Sequence, residues 1–222
     1  LAKGETDKTL GHIASKARAQ GIVVVEADRR KLDGMSRTHA HQGVIAVAAV
    51  REYVSIEDIL QVAKDKGEPP LLVICDELSD PHNLGAVIRT AECAGAHGVV
   101  IPKRRSAGLT AVVAKTSAGA VSHIPVARVA NIGETIRRLK EQGVFVYCAD
   151  MDGVSLRKNN LTGPIALVLG SEGSGVSQLV KKLCDGVVRL DMAAQGTGVD
   201  SFNVSVAAGI ILYEIQSQRA GE

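Results

Sequence analysis

Five polar residues of types that serve catalysis and binding lie in three Gly- and Asn-rich segments: Asn83, Arg89, Glu172, Ser201 and Asn203. The segments read Asp-Pro-His-Asn-Leu-Gly-Ala-Val-Ile-Arg-Thr-Ala (80 to 91), Leu-Gly-Ser-Glu-Gly-Ser-Gly (169 to 175) and Asp-Ser-Phe-Asn-Val-Ser-Val-Ala-Ala-Gly (200 to 209). Glycine lets a loop backbone come close to a ligand, and open α/β sheets bind ligands beyond the carboxyl ends of their strands. We therefore expect the segments to meet at one site, where backbone groups hold a ligand and polar side chains face a substrate.

Each segment also has a simpler interpretation. Asn83, Ser201 and Asn203 are residue types that cap helix N termini, and residues 170–175 can form an ordinary strand-to-helix turn. The glycine spacing of residues 170–175 matches neither a dinucleotide-binding fingerprint nor a P-loop. Arg89 lies in a helical pattern of Ala, Val and Ile residues that otherwise packs, so its charge is expected to need a partner. Only the combination of the three segments favours a functional site.

Short apolar runs alternate with helical patterns after residue 70, which predicts an α/β domain with a parallel sheet flanked by helices on both faces. The predicted strands cover residues 71–75, 98–101, 144–149, 165–169 and 187–190. The predicted helices cover residues 84–94, 110–118, 132–141, 177–184 and 204–218. These elements belong to a predicted domain over residues 71–222.

Residues 1–66 are predicted to form a smaller α/β unit. Its expected elements are a helix near 10–19, strands at 22–26 and 44–50, and a helix that begins at Ser55 in the capping pattern Ser-x-x-Asp. Gly67-Glu68-Pro69-Pro70 ends this helix and is the expected hinge. The small unit lacks an opening strand, so we expect the chain to be an N-terminally incomplete fragment of a longer protein.

The charge of the chain is too mild to identify a partner by itself. The formal net charge is +2 over 222 residues, and binding to phosphates depends on clustered charge rather than on the total. Two basic clusters stand out, Arg29-Arg30-Lys31 and Lys103-Arg104-Arg105, and either can also be a solvated surface patch. Aromatic residues are scarce, which argues against a platform on which bases stack.

The sequence also predicts a cytoplasmic protein without a membrane partner. It has no apolar run of about 18 residues, and its first residues do not show the basic start and apolar block of a signal peptide. The four cysteines are far apart, whereas metal sites usually contain close Cys or His pairs. No metal site is therefore expected.

The order and spacing of the three segments resemble the motifs of the SpoU (TrmH) family of RNA 2′-O-ribose methyltransferases, part of the SPOUT superfamily. The resemblance covers residues 71–218 specifically and residues 1–66 more loosely. In the small unit, His41-Gln42-Gly43-Val44-Ile45-Ala46 is similar to the end of the family's ribosomal-protein-like RNA-binding domain. The resemblance implies a homodimer and a C-terminal deep trefoil knot, a feature too rare to be expected from any residue pattern.

The implied cofactor is S-adenosyl-L-methionine, bound by the second and third segments. The implied cofactor-binding residues are Leu169, Gly170, Gly173, Leu190, Met192 and Phe202. The two basic clusters are the implied RNA-binding residues: Arg29, Arg30, Lys31, Lys103, Arg104 and Arg105. The implied catalytic set acts on a ribose 2′-hydroxyl that attacks the methyl group on sulfur. Its members are Asn83, Arg89, Glu172, Ser201 and Asn203.

An unperturbed guanidinium is a poor proton acceptor near neutral pH. We therefore expect Arg89 to position the ribose or a phosphate and to stabilise the developing oxyanion. The proton is expected to pass to Glu172, to a phosphate or to water. One departure from the family is visible: its third motif usually reads Met-x-Gly-x-x-x-Ser-Leu-Asn-Val. Here the distance from Met192 to Ser201 is three residues longer, and Phe202 stands in place of Leu.

The predicted function is methylation of a ribose in RNA. Ribosomal RNA is favoured over transfer RNA because of the small N-terminal domain, and a guanosine of 23S ribosomal RNA is the expected target. The alternatives are a transfer-RNA 2′-O-methyltransferase and a non-catalytic RNA-binding or ribosome-assembly protein of the same fold.

Overall fold

The chain divides into two compact units, residues 1–49 and 50–222. The structure, a computed structural model, describes residues 1–4, 7–36, 40–46, 51–193 and 201–221. The division falls earlier than the hinge at 67–70, because the helix Ile56–Lys66 belongs to the second unit. This helix has the expected capping box, in which Asp58 N donates to Ser55 Oγ at 3.1 Å and Ser55 N donates to Asp58 Oδ2 at 2.8 Å. Its Ile59 packs so closely on the sheet that a Cβ built on Gly98 would lie 2.5 Å from Ile59 Cδ1.

The described residues of the first unit form two helices, α1 (Lys8–Ala19) and α2 (Arg29–Met35). The predicted strand at 22–26 is wrong: these residues form no ladder, and Val23 is 86% exposed. Within the described residues this part of the unit is joined to residues 1–3 by the bridge between Ala2 and Ala27 and by a hydrogen bond from Leu1 N to the Val25 carbonyl at 2.9 Å, which do not make a strand of it. Of the predicted strand 44–50, residues 44–46 are not in a strand and residues 47–50 lie outside the described residues.

His41 fixes the turn that carries the family-like His-Gln-Gly sequence. Its Nδ1 accepts the backbone N–H of Gly43 at 3.0 Å. The proton is therefore on Nε2, which donates to Oδ1 of Asp33 at 3.1 Å. The ring is buried, so this part of the motif has a structural role within the first unit.

The second unit is built on a six-stranded sheet with the order β3-β2-β1-β5-β4-β6. The strands are β1 (Leu71–Cys75), β2 (Gly98–Pro102), β3 (Val126–Val129), β4 (Phe145–Ser155), β5 (Ile165–Leu169) and β6 (Gly186–Arg189). All neighbouring strands are parallel, which confirms the predicted sheet. The sequence missed β3, because Arg128 interrupts the apolar residues of this short edge strand.

Helices cover both faces of the sheet. They are α3 (Ile56–Lys66), α4 (Pro81–Cys93), α5 (Ala111–Thr116), α6 (Ile132–Glu141), α7 (Gln178–Lys181) and α8 (Val204–Ala220). Leu71, Val73 and Cys75 of β1 pack with α4, α5 and α8 in one apolar layer. Leu72 and Ile74 pack with α3, α6 and α7 in the other. The central strands are thus buried on both faces, as expected for a parallel sheet, and only α7 is much shorter than predicted.

Candidate active site

Three segments that are far apart in the chain meet beyond the carboxyl ends of β1 and β5. Asn83 lies in α4, Glu172 in the loop after β5, and Asn203 directly before α8. Oε1 of Glu172 accepts the side-chain amide of Asn83 at 2.7 Å and that of Asn203 at 2.6 Å. Asn203 Nδ2 also lies 3.0 Å from Asn83 Oδ1. We call these three side chains the amide–carboxylate triangle.

Asn83 is free to join the triangle because another residue caps its helix. Helix α4 begins with Pro81, and the carboxylate of Asp80 accepts the backbone N–H of His82 at 2.9 Å. Asn83 therefore lies inside the first turn, where it is buried and its amide reaches Glu172. The simpler interpretation of Asn83 as a helix cap is wrong.

Asn203 has both of the roles that its sequence position allows. Its Oδ1 caps α8, accepting the backbone N–H of Ser205 at 2.9 Å and the Ser205 hydroxyl at 2.6 Å. Its Nδ2 points the other way and donates to Glu172 and Asn83. Capping thus fixes the amide in the orientation that the triangle requires.

The glycine-rich loop holds Glu172 in a tight turn. Ser171 and Gly175 exchange two backbone hydrogen bonds, at 3.1 and 2.9 Å, and Gly175 has a φ of 64°. A Cβ built on Gly170 would lie 2.0 Å from the carbonyl carbon of Gly175, so only glycine fits at the start of this turn. The backbone at the start of the loop therefore lies close to the backbone of Gly175, and the Glu172 side chain lies outside the turn.

Asp76 is a site residue that the sequence analysis missed. It follows β1 directly, is buried, and its Oδ2 accepts the backbone N–H of Ser177 at 3.0 Å. Its own N–H donates to the carbonyl of Leu169 at 2.7 Å. Asp76 thus ties the end of β1 to both sides of the glycine-rich loop. Its position after a buried apolar strand was the available signal.

A pocket of about 340 Å³ opens beside the triangle. Four of the six predicted cofactor residues line it: Leu169, Gly170, Leu190 and Phe202. Gly173 and Met192 do not line it, whereas Gly175 does. Residues 194–200 of the lengthened loop lie outside the described residues.

The pocket has a second carboxylate, which was not predicted. Asp150 lies in β4 on the pocket wall, together with the half-exposed Met151. Oδ1 of Asp150 accepts Lys181 Nζ at 3.0 Å and the backbone N–H of Asp152 at 3.1 Å. Burial raises the pKa of the Asp150 carboxyl, but the Asp152 amide and the Lys181 ammonium outweigh it and hold this pKa below its ordinary value.

Two of the five predicted catalytic residues lie outside the triangle. Ser201 lines the pocket and is exposed. Arg89 is also exposed, on the side of α4 away from its buried residues, and within the described ranges it has no hydrogen-bond or ion-pair partner. Arg89 was expected to need a partner because it was expected to lie in a packed helix, but the helix turns its side chain to solvent.

The two basic clusters lie in different units. Arg29, Arg30 and Lys31 form the exposed first turn of α2. The other cluster, residues 103–105, is exposed in the loop after β2, at the carboxyl edge of the sheet. In this loop Arg105 pairs with Glu77 at 3.0 Å.

A parallel sheet with a pocket and converging polar groups at the carboxyl ends of its strands is the architecture of an α/β enzyme. Residues 70–213 match the model of the SpoU rRNA Methylase family. Residues 1–54 match the model described as RNA 2′-O ribose methyltransferase substrate binding. The chain belongs to the SpoU rRNA methylase family and is an RNA methyltransferase that depends on S-adenosylmethionine.

Relatives with similar sequences agree with this assignment. A Bacillus subtilis (strain 168) protein named as a TrmH family tRNA/rRNA methyltransferase, YacO, is 49% identical over 207 residues, which are 91% of this chain and 80% of the relative. A TrmH family tRNA/rRNA methyltransferase of Staphylococcus haemolyticus is 41% identical over 220 residues, 99% of this chain and 87% of the relative.

Solved structures of the family are similar as well. The AdoMet-bound rRNA methyltransferase from Sinorhizobium meliloti has a TM-score of 0.72 at 25% identity, covering 94% of this chain and 77% of that one. The A. aeolicus TrmH/SpoU tRNA modifying enzyme has a TM-score of 0.62 at 27% identity, covering 69% of this chain and 77% of that one. AviRb from Streptomyces viridochromogenes has the same fold, with a TM-score of 0.75 at 24% identity over 100% of this chain and 82% of that one.

Neither a membrane-spanning helix nor a metal-binding cluster occurs among the described residues. None of the helices in the described ranges has the length and apolar character needed to span a bilayer. In the same ranges, no three His, Cys, Asp or Glu side chains are grouped so that they could hold a metal ion.

Proposed function

We propose that this chain transfers a methyl group from S-adenosylmethionine to the 2′-hydroxyl of a ribose in RNA. The observation that carries the proposal is the amide–carboxylate triangle at the edge of the pocket, since it places a carboxylate and two oriented amides where a bound methyl donor and a ribose can meet. The match of residues 1–54 to a substrate-binding domain of RNA 2′-O ribose methyltransferases supports the same reaction.

The pocket suits the proposed cofactor in size and chemistry. Its volume of about 340 Å³ is within the range of about 300 to 1,000 Å³ in which small molecules bind. Leu169, Leu190 and Phe202 provide apolar surface for an adenine ring. The Glu172 carboxylate also lines the pocket, and its partners are neutral amides, so its negative charge remains available to a sulfonium.

The bound cofactor would supply an activated methyl group together with its leaving group. The chain's own residues must then align the ribose hydroxyl and remove its proton. Asn83 and Asn203 hold Glu172 in place, and Ser201 lines the same pocket within reach of a ribose hydroxyl. In this proposal Arg89 extends from the exposed face of α4 to a phosphate or to the developing oxyanion, and Glu172, a phosphate or water takes the proton.

The proposed substrate is ribosomal RNA, with a guanosine of 23S ribosomal RNA as the target, which places the reaction in the cytoplasm. The substrate-binding match of residues 1–54 supports a role of the small unit in RNA binding, so the proposed domains remain a small RNA-binding domain and a catalytic domain over residues 71–222. The proposal includes a homodimer and the trefoil knot of the family. Transfer RNA is the second candidate, because relatives such as YacO are named for tRNA and rRNA together.

Isothermal titration of the purified chain with S-adenosylmethionine and S-adenosylhomocysteine tests the cofactor site. We expect micromolar binding of both ligands. Glu172→Gln keeps the shape of the side chain and removes its charge. It should therefore weaken the binding of S-adenosylmethionine severalfold and weaken the binding of S-adenosylhomocysteine, an uncharged thioether, less. Absence of binding by the unaltered chain would favour the non-catalytic RNA-binding alternative.

A further inference from the structure

Asp150 and Glu172 are the two carboxylates that line the pocket, and they differ in how their charge is balanced. Asp150 forms an ion pair with Lys181 at 3.0 Å, with side chains only 20% and 15% exposed. Glu172 instead accepts two neutral amides. Within the described residues Glu172 has no cationic partner, whereas the charge of Asp150 is partly balanced by Lys181, which is shared with Asp152 at 3.1 Å.

The contacts of Asp150 leave one of its oxygens on the pocket side. Oδ1 is engaged by Lys181 and by the backbone N–H of Asp152. Oδ2 faces the glycine-rich loop, since a Cβ built on Gly175 would lie 3.8 Å from it. Gly175 itself lines the pocket. A group bound beside the loop therefore meets an acceptor that is oriented by Lys181.

The balance of charge indicates which part of the cofactor each carboxylate binds. A carboxylate that already contacts an ammonium gains less from a further cation but still offers a strong acceptor to hydroxyl groups, because hydrogen bonds to an ionised acceptor are the stronger kind. Carboxylates bind ribose hydroxyls in this way in nucleotide-binding folds. An uncompensated carboxylate, in contrast, stabilises a positive sulfur.

We propose, resting on the function proposed above, that Asp150 binds the ribose hydroxyls of the adenosyl group and that Lys181 is its positioning residue. Glu172 then faces the positively charged sulfur of the same S-adenosylmethionine molecule. The division of roles orients the cofactor, with its methyl group toward the amide–carboxylate triangle.

Binding of S-adenosylhomocysteine and its 2′,3′-dideoxyribose analogue, measured by isothermal titration, tests this assignment. For the unaltered chain we expect the dideoxy analogue to bind about tenfold more weakly or worse. Asp150→Ala should weaken S-adenosylhomocysteine by a similar factor and leave the analogue unchanged. Asp152→Ala is the matched control, since Asp152 also pairs with Lys181 but is 84% exposed and does not line the pocket. The Asp152→Ala variant should bind S-adenosylhomocysteine and its dideoxy analogue as the unaltered chain does.

Lys181→Met gives a readout that a merely structural role would not produce. It leaves the Asp150 charge unbalanced, so the preference for cationic S-adenosylmethionine over S-adenosylhomocysteine should rise severalfold. Thermal unfolding of each variant verifies folding. If the unaltered chain binds neither S-adenosylmethionine nor S-adenosylhomocysteine, the proposed function and this assignment both fail. If it binds these two ligands, but Asp150→Ala or removal of the ribose hydroxyls costs no affinity, only the assignment of Asp150 is overturned.

Discussion

The side-chain amide of Asn203 donates to Oε1 of Glu172 at 2.6 Å, across 31 residues of the chain. This hydrogen bond joins the start of α8 to the glycine-rich loop after β5, and the oxygen of the same amide caps α8. One side chain therefore links the stability of the last helix to the geometry of the site. Substitutions at position 203 can separate the two effects.

Asn203→Ala should lower the free energy of unfolding by about 0.5 to 2 kcal/mol, because the cap is lost, and should greatly reduce methyl transfer. Asn203→Ser keeps a capping oxygen but loses both amide hydrogens. It should therefore unfold at nearly the same urea concentration as the unaltered chain and still be impaired in transfer. Full activity of Asn203→Ser would mean that the amide donors are unnecessary.

Gly170→Ala should abolish binding of S-adenosylhomocysteine. The added Cβ would lie 2.0 Å from the backbone of Gly175, so the loop must move and carry Glu172 with it. Gly173→Ala is the matched control, since nothing lies within 4 Å of its Cβ. Titration calorimetry of the two variants compares them directly. Equal binding by both would show that the turn is not needed in its observed form.

Arg89 is expected to matter for activity and not for stability. Its side chain is exposed, so Arg89→Ala should change the unfolding free energy by no more than about 0.5 kcal/mol. Methyl transfer to RNA should nevertheless fall strongly, and Arg89→Lys should not restore it, because a lysine cannot form the bidentate contact of a guanidinium. Near-normal turnover of Arg89→Lys would contradict the positioning role.

His97 should make the protein less stable in mild acid. The ring is buried, its Nδ1 accepts the backbone N–H of Leu71 at 3.0 Å, and its Nε2 donates to Glu68 at 3.0 Å, which fixes the neutral form. Burial lowers the pKa of His97 below its ordinary value, although Glu68 opposes this. A depressed pKa gives stability that is present above the unfolded-state pKa of about 6.5 and lost as pH falls through the folded-state pKa.

Urea unfolding at pH 7.5 and at pH 5 measures this effect. The unaltered chain should lose stability at the lower pH, and His97→Gln, which can still accept from Leu71 but does not titrate, should lose less. The same pH dependence in both proteins would assign it to other groups.

The exposed cations after β2 are expected to contact RNA phosphates. Replacing Lys103 and Arg104 together by Ala should make the slope of log K for RNA binding against log salt concentration shallower, by about 0.7 to 0.9 per lost phosphate contact. Arg137→Ala on α6, where Arg137 pairs with Glu134 at 3.3 Å, is the control and should leave the slope unchanged. RNA binding measured between low and moderate salt gives the slopes. No change in the double variant would exclude this loop from the RNA interface.

The sequence predicts the centre of the fold well, because burial on both faces leaves a simple signal. The predicted bounds of β1 and β5 are confirmed, since continuous apolar runs end at polar or glycine residues. Strand β3 was missed because Arg128 interrupts its apolar residues, so they give no such run. Residues 22–26 misled the prediction in the opposite direction: the first four are apolar and β-branched, yet the segment has no partner strand in the described part of the chain.

At the site, motif residues were predictable and supporting residues were not. Asn83, Glu172 and Asn203 lie in segments with a recognisable spacing, and the structure brings them together. Asp76 and Asp150 have no such motif, and their roles depend on strands that are neighbours only in space. The exposure of Arg89 was not predicted, because a helical pattern does not show which residues at the edge of the buried face turn to solvent.

The proposed reaction is the transfer of a methyl group to a ribose 2′-hydroxyl in RNA. The most direct measurement incubates the purified chain with S-adenosylmethionine carrying an isotopically labelled methyl group and with ribosomal RNA from cells that lack this protein. The RNA is then digested to nucleosides and analysed by mass spectrometry. We expect the label on the ribose of guanosine, strongly reduced when Glu172→Gln or Asn203→Ala replaces the unaltered chain. Label on a base, or no label on ribosomal or transfer RNA despite cofactor binding, would contradict the claim.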